Sequence, residues 1–256
     1  MVCYNTGMIE ITTYAMEAPC RIAFLSDTHN NKWEPIAKAT QSVRPDVICI
    51  AGDIFGGNRR SSVAEQKNIL PLLRACCDMA PVFCSIGNHE WFMTPEDMDV
   101  IRGLGVCLLD NDWTEWQGAG RGADQGMIIG GFTSELTQSS RICRARGESF
   151  HFLDLTEEMN GWLDGFEAQE GYKLLLCHHP EYYPKYLEGR GLDLVLSGHA
   201  HGGQWRFFGR GVLSPGQGLF PKLTSGIHGN MVISRGLSNG TIVPRINNPL
   251  EVICIE

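Results

Sequence analysis

Side chains of the kinds that bind metal ions follow five apolar runs of the sequence. The runs end near residues 26, 51, 86, 177 and 197. Directly after them come Asp27 and His29, then Asp53, then Asn88 and His89, then His178, and finally His199 and His201. Carboxylate and imidazole together suit zinc, iron or manganese better than calcium or magnesium, which prefer oxygen ligands alone. The spacing therefore predicts metal-assisted chemistry.

The weight of this prediction comes from the ordered set and not from any single motif. One histidine is more often a hydrogen-bonded structural residue than a ligand, and Gly-Asp alone is usually a turn. Without a metal site, five unrelated polar clusters would each have to be buried and satisfied separately. Gly52, Gly87 and Gly198 each precede a candidate ligand and permit sharp turns close to a crowded centre.

The elements that must position these side chains alternate between strands and helices in the first half. Apolar runs predict buried strands over 21–25, 46–51 and 81–86. Pro35 suits the first turn of a helix over 33–43, and Ser62 with Glu65 forms a capping-box pattern opening a helix toward Ala75. Thr94 is a suitable N-cap for a further helix. In open α/β sheets, sites lie beyond the carboxyl ends of strands, so a compact sheet would bring the five ends together.

The second half of the sequence is richer in strands. The pattern predicts strands at 106–109, 127–132, 173–177 and 192–196, a helix over 154–166, a turn at 118–124 and a solvated basic loop at 141–146. The tail is predicted to form loops and strands, which include residues 211–218, 231–234 and 251–255. The predicted fold class is α/β, with two mixed β-sheets packed as a sandwich and flanked by helices. No linker separates them, so residues 1–256 are predicted to form a single domain.

Composition and charge exclude some classes of function. Of the 256 residues, 43% are hydrophobic and 20% are charged, which is typical of a globular protein and not of a disordered one. The formal net charge of -8 argues against nucleic acid as a stable partner. A small anionic substrate is still compatible with this charge, because bound metal ions reverse the local sign.

The ten cysteines are predicted to be reduced core residues. Cys49, Cys84, Cys177 and Cys254 stand in apolar runs, and no C-x-x-C pair exists for a thiolate zinc site. Reduced thiols favour a cytoplasmic location. The first 19 residues do not have the pattern of a secretory signal, and no stretch reaches the roughly 18 apolar residues of a membrane span.

From about Arg21 to His201 the ordered motifs resemble the calcineurin-like metallophosphoesterases. The resemblance implies the four-layer fold of that family and two divalent metal ions, manganese, iron or zinc. It places Asp27, His29, Asp53 and His201 on the first ion, and Asp53, Asn88, His178 and His199 on the second. His89 would be the proton donor beside the site, and family usage favours His178 over His179 as the ligand.

A wider resemblance extends toward the C-terminus. Gly202-Gly203-Gln204 after His201, the run 214–221 and the run 234–238 are similar to a bacterial subgroup of that family. Many of its members carry an N-terminal membrane anchor or a twin-arginine signal, and some relatives are similar to enzymes that split UDP-diacylglucosamine. This chain lacks such a segment at its start, so the resemblance by itself does not extend to membrane attachment or a lipid substrate.

The expected reaction is hydrolysis of a phosphate ester or phosphoanhydride, most simply a phosphodiester. Hydroxide bridging the two metals would attack phosphorus, and His89 would protonate the leaving group. Trp91, Trp205 and Arg206 are candidate contacts to a small phosphorylated or lipid-linked substrate, or else they cover sheet edges and face solvent. Two alternatives stay open, a protein or small-molecule phosphomonoesterase and a non-catalytic metal-binding scaffold. The oligomeric state is not predicted.

Overall fold

The chain folds into two β-sheets with helices on their outer faces. The computed structural model describes residues 9–57, 61–118, 126–239 and 243–256. The helices are α1 (Trp33–Val43), α2 (Ile69–Cys77), α3 (Pro95–Arg102), α4 (Glu135–Ala145) and α5 (Thr156–Glu167). Short 3-10 turns span Val63–Glu65, Pro180–Tyr182 and His201–Gly203, and a π turn spans Tyr183–Leu187.

The first sheet contains six strands and supplies three of the five strand ends that carry candidate ligands. Its strands are β1 (Ile9–Tyr14), β2 (Ile22–Leu25), β3 (Val47–Ala51), β4 (Val82–Ser85), β5 (Val106–Leu109) and β16 (Leu250–Ile255). Their order is β1-β16-β2-β3-β4-β5. The strands β2 to β5 are parallel, whereas β16 is antiparallel to β2 and parallel to β1. Their carboxyl ends therefore meet at one edge.

The second sheet also contains six strands and supplies the other two strand ends. Its strands are β6 (Asp112–Trp116), β7 (Met127–Phe132), β8 (Tyr172–Cys177), β9 (Leu194–Ser197), β14 (Gly226–His228) and β15 (Met231–Ile233). Their order is β14-β15-β9-β8-β7-β6, with β7, β8, β9 and β15 parallel. Between β9 and β14 lie two small hairpins, formed by β10 (Arg206–Phe207) with β11 (Arg210–Gly211) and by β12 (Leu213–Ser214) with β13 (Gly218–Leu219).

The two sheets pack face to face with helices outside. In β2, Ile22 and Phe24 point into the core shared with β8 and β9, whereas Ala23 and Leu25 pack with residues of α1 and α2. The outer face of the second sheet is covered by α5 and by residues 182–187. Strands buried on both faces are apolar at every position, which explains the continuous apolar runs of the sequence. The prediction of a helix-flanked, two-sheet α/β fold is confirmed.

Two local predictions differ from the structure. The capping box of Ser62 and Glu65 is present, but it opens only a 3-10 turn, and α2 begins at Ile69. Asn68 is tied to Asn30, because its backbone and side-chain amides both donate to Asn30 oxygens. Pro71 then falls in the first turn of α2, where it is tolerated, whereas a helix starting at Ser62 would have held it in its interior.

The prediction of a solvated basic loop at 141–146 is wrong. Residues 141–145 form the last turns of α4. Arg141 pairs with Asp110 at 2.6 Å, and Arg144 donates to the carbonyl of Trp91. The helix is not apparent from a run of basic residues because its buried face consists of Thr137, Ser139, Ser140 and Cys143 instead of large apolar residues.

Other sequence expectations concern single segments. Most of the predicted turn at 118–124 lies outside the described residues. Nine cysteines are described; all nine are free and seven of them are buried. Across the described ranges, every helix is too short or too polar to cross a membrane.

Candidate metal centre

The candidate ligands come together where the ends of the two sheets meet. Asp27 and His29 follow β2, Asp53 follows β3, and Asn88 follows β4 of the first sheet. His178 follows β8, while His199 and His201 follow β9 of the second sheet. The expectation that one compact sheet gathers all five ends is therefore wrong, because three ends belong to one sheet and two to the other. The site bridges the sandwich.

Three side chains converge on one side of this centre. His201 Nε2 lies 3.4 Å from Asp27 Oδ1 and 3.3 Å from His29 Nε2. His29 Nε2 lies 3.8 Å from Asp27 Oδ1. One ligand atom from each side chain lies within 4.8 Å of the others, so the three can surround a single ion.

A second group of three lies beside the first, and Asp53 is in contact with both. Asp53 Oδ2 lies 3.7 Å from His29 Nε2 and 3.1 Å from His178 Nε2. Asp53, His178 and His199 also offer ligand atoms within 4.8 Å of one another. Asp27 Oδ1 lies 3.9 Å from His178 Nε2, so the two groups are adjacent.

Two buried atoms of the candidate ligands have no hydrogen-bond partner among the described residues, and both suit a metal ion. They are Asn88 Oδ1 and His178 Nε2. His178 Nδ1 lies 2.7 Å from the carbonyl oxygen of Ala51, which can only accept, so Nδ1 donates and Nε2 is the nitrogen that a neutral ring would present to a metal ion. His29 Nδ1 donates in the same way to the carbonyl of Phe55 at 3.0 Å. Leaving such groups unsatisfied is costly, and ligation of a cation removes that cost.

The charges of the centre also favour a bound cation. Burial alone would raise the pKa of Asp27, but His201 and His29 outweigh it and hold that pKa far below its usual value. Burial would lower the pKa of His178, yet Asp53 and Asp27 raise it to about 10. Burial lowers the pKa of His201 to about 3. Two buried carboxylates thus need a cation to balance their negative charge. Without a metal, a proton on His178 supplies part of the positive charge.

Backbone geometry at the candidate ligands is unusual. Asp27, His29, Asp53, His199 and His201 all have positive φ values, between 41° and 62°. Non-glycine residues rarely adopt this left-handed conformation, and such strain is concentrated at functional sites. The strained turns aim these side chains back across the strand ends.

Close packing of glycines maintains these turns. A Cβ on Gly198 would lie 1.8 Å from Ser26 Oγ and 2.4 Å from Asp27 Oδ2. A Cβ on Gly87 would lie 2.3 Å from Asp53 Oδ1. Only glycine lets these backbones approach the carboxylates so closely. Two of the three glycines singled out from the sequence, Gly87 and Gly198, therefore have a packing role beside the candidate ligands.

Glu90 ties the loops of the first sheet together. Its carboxylate accepts from the backbone N–H groups of Asp53, Phe55 and Gly87 at 2.9, 3.0 and 2.8 Å. Burial, reinforced by the charge of Asp53, raises the pKa of Glu90 to about 7. Glu90 therefore positions the candidate ligands without facing the centre itself.

His89 is more exposed than five of the seven candidate ligands. Its side chain is 24% exposed, compared with 0 to 6% for Asp27, Asp53, His29, His178 and His201. His89 Nε2 lies 4.0 Å from Asp53 Oδ2, and its backbone N–H donates to Asp53 Oδ1 at 2.8 Å. Burial lowers the pKa of His89, which eases release of a proton. The ring therefore stands at the open side of the centre.

The neighbouring His179 has a different environment from His178. Its Nε2 lies 2.8 Å from Ser134 Oγ, and its ring stacks on Tyr182 with centroids 4.8 Å apart. Burial holds the pKa of His179 well below its usual value. The contacts of its Nε2 make it part of the supporting packing.

Two residues that contact this centre have no sequence signal. Arg245 is buried, and its Nη2 lies 3.2 Å from His201 Nδ1. Glu181 Oε1 lies 3.9 Å from His199 Nε2, and both of its carboxylate oxygens are buried without a hydrogen-bond partner among the described residues. Neither residue follows an apolar strand directly, so the strand-end pattern does not reveal them.

The three predicted substrate contacts have structural neighbours of their own. Trp91 packs against the core between the first sheet and its helices. Trp205 Nε1 donates to the carbonyl of Pro244, and Arg206 donates to the carbonyl of Gly202 and to Thr224 Oγ1. Arg206 thus supports the β10–β11 hairpin. A role for these residues in substrate binding stays a prediction.

Comparison with known proteins identifies the relatives of this chain. The model of the calcineurin-like phosphoesterase family matches residues 20–203. An uncharacterised protein of Bacillus subtilis, YpbG, is 27% identical over 191 residues, covering 74% of this chain and 64% of that protein. The phosphodiesterase YaeI of Escherichia coli is 25% identical over 201 residues, covering 74% of this chain and 63% of that protein. The chain thus spans somewhat less than two thirds of these two relatives.

A solved structure shares the fold. The calcineurin-like phosphoesterase YfkN of Bacillus subtilis superposes with a TM-score of 0.53 at 16% sequence identity, covering 85% of this chain and 81% of that one. At this level of identity the similarity concerns the fold alone.

Proposed function

The chain belongs to the calcineurin-like phosphoesterase family, and because members of this family are metal-dependent phosphoester hydrolases, we propose that it hydrolyses a phosphodiester with two divalent metal ions. The observation that carries the proposal is the position of Asp53. Its Oδ2 lies 3.7 Å from His29 Nε2 in one ligand group and 3.1 Å from His178 Nε2 in the other. One carboxylate can therefore serve two ions.

The proposed ligand sets extend the two groups. Asp27, His29, Asp53 and His201 would hold the first ion. Asp53, Asn88, His178 and His199 would hold the second. The mixture of imidazole, carboxylate and amide donors favours manganese, iron or zinc. Asn88 contributes a neutral oxygen, which leaves the centre more positive than a third carboxylate would.

The chemistry divides between the ions and the side chains. When bound, the ions neutralise phosphate oxygens and lower the pKa of water toward roughly 7 in favourable cases, so that hydroxide attack is available at neutral pH. His89 stands at the open side of the centre and donates a proton to the leaving oxygen. Asp53 accepts the backbone N–H of His89, which holds the ring close to the centre.

The class of substrate is the finer part of the proposal. A phosphodiester is favoured because the Escherichia coli relative is named a phosphodiesterase. The substrate would be small or lipid-linked, since a chain with net charge -8 is poorly suited to nucleic acid as a stable partner. We also place the protein in the cytoplasm, because the nine described cysteines are free.

Metal analysis tests the dinuclear centre. Protein purified without chelator is expected to contain two transition-metal ions per chain. Asp53→Asn should lose both ions because the carboxylate is shared, whereas His199→Ala should lose mainly one. A single ion in the wild type, lost equally in both variants, would contradict the shared centre.

Activity assays test the reaction. With manganese added, bis-p-nitrophenyl phosphate should be hydrolysed in preference to p-nitrophenyl phosphate. The opposite preference would favour a phosphomonoesterase. No hydrolysis of either compound by protein that holds its metals would favour a non-catalytic scaffold. A subsequent screen of nucleotides, sugar nucleotides and phospholipids would then identify the natural substrate class.

A further inference from the structure

A long acid-free segment stands out in this acidic chain. The whole chain has 29 Asp and Glu residues against 21 Lys and Arg residues, yet residues 194–250 contain no Asp or Glu. The same segment contains five basic residues, namely Arg206, Arg210, Lys222, Arg235 and Arg245. Such a local reversal of charge indicates a surface suited to an anionic partner.

Only some of these basic residues are available to a partner. Arg235 pairs with Glu10 and Glu251, Arg245 is buried, and Arg206 donates to main-chain oxygens. Arg210 and Lys222 are exposed, and among the described residues neither has an acidic side chain within ion-pair distance. Together with Phe220 they line a groove of about 540 Å³.

Large apolar side chains surround these two charges. Phe207 pairs directly with Arg210 across the first small hairpin, and Phe208 at its tip is fully exposed. Leu219 is 70% exposed and Phe220 is 78% exposed at the end of the second hairpin. The backbone of Phe220 donates to Val212, which joins the two hairpins. We call Phe207, Phe208, Arg210, Leu219, Phe220 and Lys222 the hairpin surface.

The hairpin surface lies beside the metal centre. The turn of the second hairpin approaches His199, because a Cβ on Gly216 would lie 3.6 Å from His199 Nε2. The first hairpin packs on the turn after His201, where a Cβ on Gly203 would lie 2.4 Å from Gly211 Cα. The exposed apolar tips and the candidate ligands therefore belong to one continuous stretch of chain.

We propose that the hairpin surface docks on the anionic surface of a phospholipid bilayer. Large apolar side chains that are exposed together mark interaction sites. Phe208 protrudes from a two-residue tip, and a protruding ring enters a fluid interface without needing a preformed pocket. Apolar side chains beside basic ones are the combination that binds anionic lipid, because the rings enter the acyl boundary while the charges meet the headgroups.

Docking would have a consequence for the reaction. Since the hairpins pack beside His199 and His201, a docked molecule would bring its metal centre close to phosphate groups carried by the bilayer. This consequence rests on the proposed function, whereas docking itself needs neither bound metal nor catalysis.

Vesicle sedimentation tests the proposal. We expect the full chain to bind vesicles of phosphatidylcholine mixed with phosphatidylglycerol, and to bind vesicles of phosphatidylcholine alone much more weakly. Replacing Phe208 and Phe220 together by serine should weaken binding about tenfold or more, because two inserted rings are lost. Replacing Arg210 and Lys222 together by glutamine should also weaken binding and reduce its dependence on salt.

A matched control distinguishes binding by this surface from nonspecific hydrophobic binding. Phe150 and Phe152 are also exposed, and their rings contact each other with centroids 5.2 Å apart, but they lie in the loop after α4 near Glu148. Replacing both by serine should leave vesicle binding unchanged. Circular dichroism and thermal unfolding of each variant confirm that it is folded, independently of any activity.

Three results would overturn the proposal. The first is a failure of the wild type to bind anionic vesicles, and the second is an equal loss of binding in the Phe150 and Phe152 control. The third is a wild-type protein that does not bind vesicles but forms a dimer, and that becomes a monomer when Phe208 and Phe220 are replaced. The last result would assign the surface to contacts between copies. The hydrolysis of a soluble diester, measured separately, decides the proposed function without reference to vesicles.

Discussion

Asp53 and His89 show how single residues divide the work of the centre. The carboxylate of Asp53 reaches both ligand groups, and one of its oxygens accepts the backbone N–H of His89. His89 extends its ring toward the open side, where the ring Nε2 is 4.0 Å from Asp53 Oδ2. In the proposed mechanism, the residue that shares the ions and the residue that delivers a proton are thus adjacent but separable.

Replacement of His89 is predicted to separate metal binding from turnover. His89→Asn should keep the metal content of the wild type, while the turnover of a diester with an alkyl leaving group falls about 10²- to 10⁴-fold. The measurements are metal analysis and steady-state kinetics, with His151→Asn, an exposed histidine, as the control. Normal turnover of the alkyl ester by His89→Asn would contradict the role of proton donor.

At the scale of secondary-structure elements, contacts between the loops that follow the strands hold the candidate ligands in place. Glu90, which follows β4, accepts backbone N–H groups from the loop after β3 as well as from its own loop. Gly198, which follows β9 of the second sheet, packs on Ser26 and Asp27 of the first. Contacts of this kind fix the distance between ligands that lie far apart in the sequence.

Loss of the Glu90 carboxylate is predicted to destabilise these loops. Glu90→Ala would leave three buried N–H groups without their acceptor, and each unsatisfied buried donor costs about 1–3 kcal/mol. We expect a lower free energy of unfolding in urea and weaker metal binding. Glu170→Ala, at an exposed position, is the control and should match the wild type in both measurements.

A methyl group at Gly198 is predicted to disrupt the centre through contact alone. Its Cβ would lie 1.8 Å from Ser26 Oγ and 2.4 Å from Asp27 Oδ2, so the Asp27 carboxylate must move. We expect Gly198→Ala to lose metal while staying folded by circular dichroism. In the control, Gly161→Ala, the added methyl meets nothing within 4 Å. Full metal content in Gly198→Ala would show that the loop adapts without cost.

At the scale of the whole molecule, the centre connects the two sheets. The candidate ligands that follow β2, β3 and β4 belong to one sheet, and those that follow β8 and β9 belong to the other. The carbonyl of Ala51 at the end of β3 accepts from His178 Nδ1 at 2.7 Å across this junction. Ions bound here would therefore join the two halves of the sandwich. The interpretation of residues 1–256 as one domain stays a prediction.

Bound metal is accordingly predicted to stabilise the whole fold. A ligand that binds only the folded state adds about 2.7 kcal/mol at a free concentration of one hundred times its Kd. Manganese should thus raise the Tm of the wild type in a concentration-dependent way, and a chelator should reverse the effect. Asp53→Asn should show a much smaller rise. An equal rise in both proteins would mean that the metal acts elsewhere.

The sequence by itself determined the order of the apolar strands and the polar residues that follow them. Strands over 127–132 and 106–109 and the helix Trp33–Val43 were predictable because their apolar runs and turn signals are local. Asp27, Asp53, His178 and the other candidates could be selected for the same reason, and their role as metal ligands stays a prediction. Helix α4 was not, because its buried face is made of small polar residues.

Only the tertiary structure decided how these pieces meet. It distributed the five strand ends over two sheets, set the left-handed turns at Asp27 and His201, and brought Arg245 and Glu181 to the centre from distant segments. None of this is encoded by local spacing, because it depends on sheet packing and on backbone contacts between loops far apart in the chain. The sequence specifies which groups could bind a metal, and packing specifies the distances between those groups.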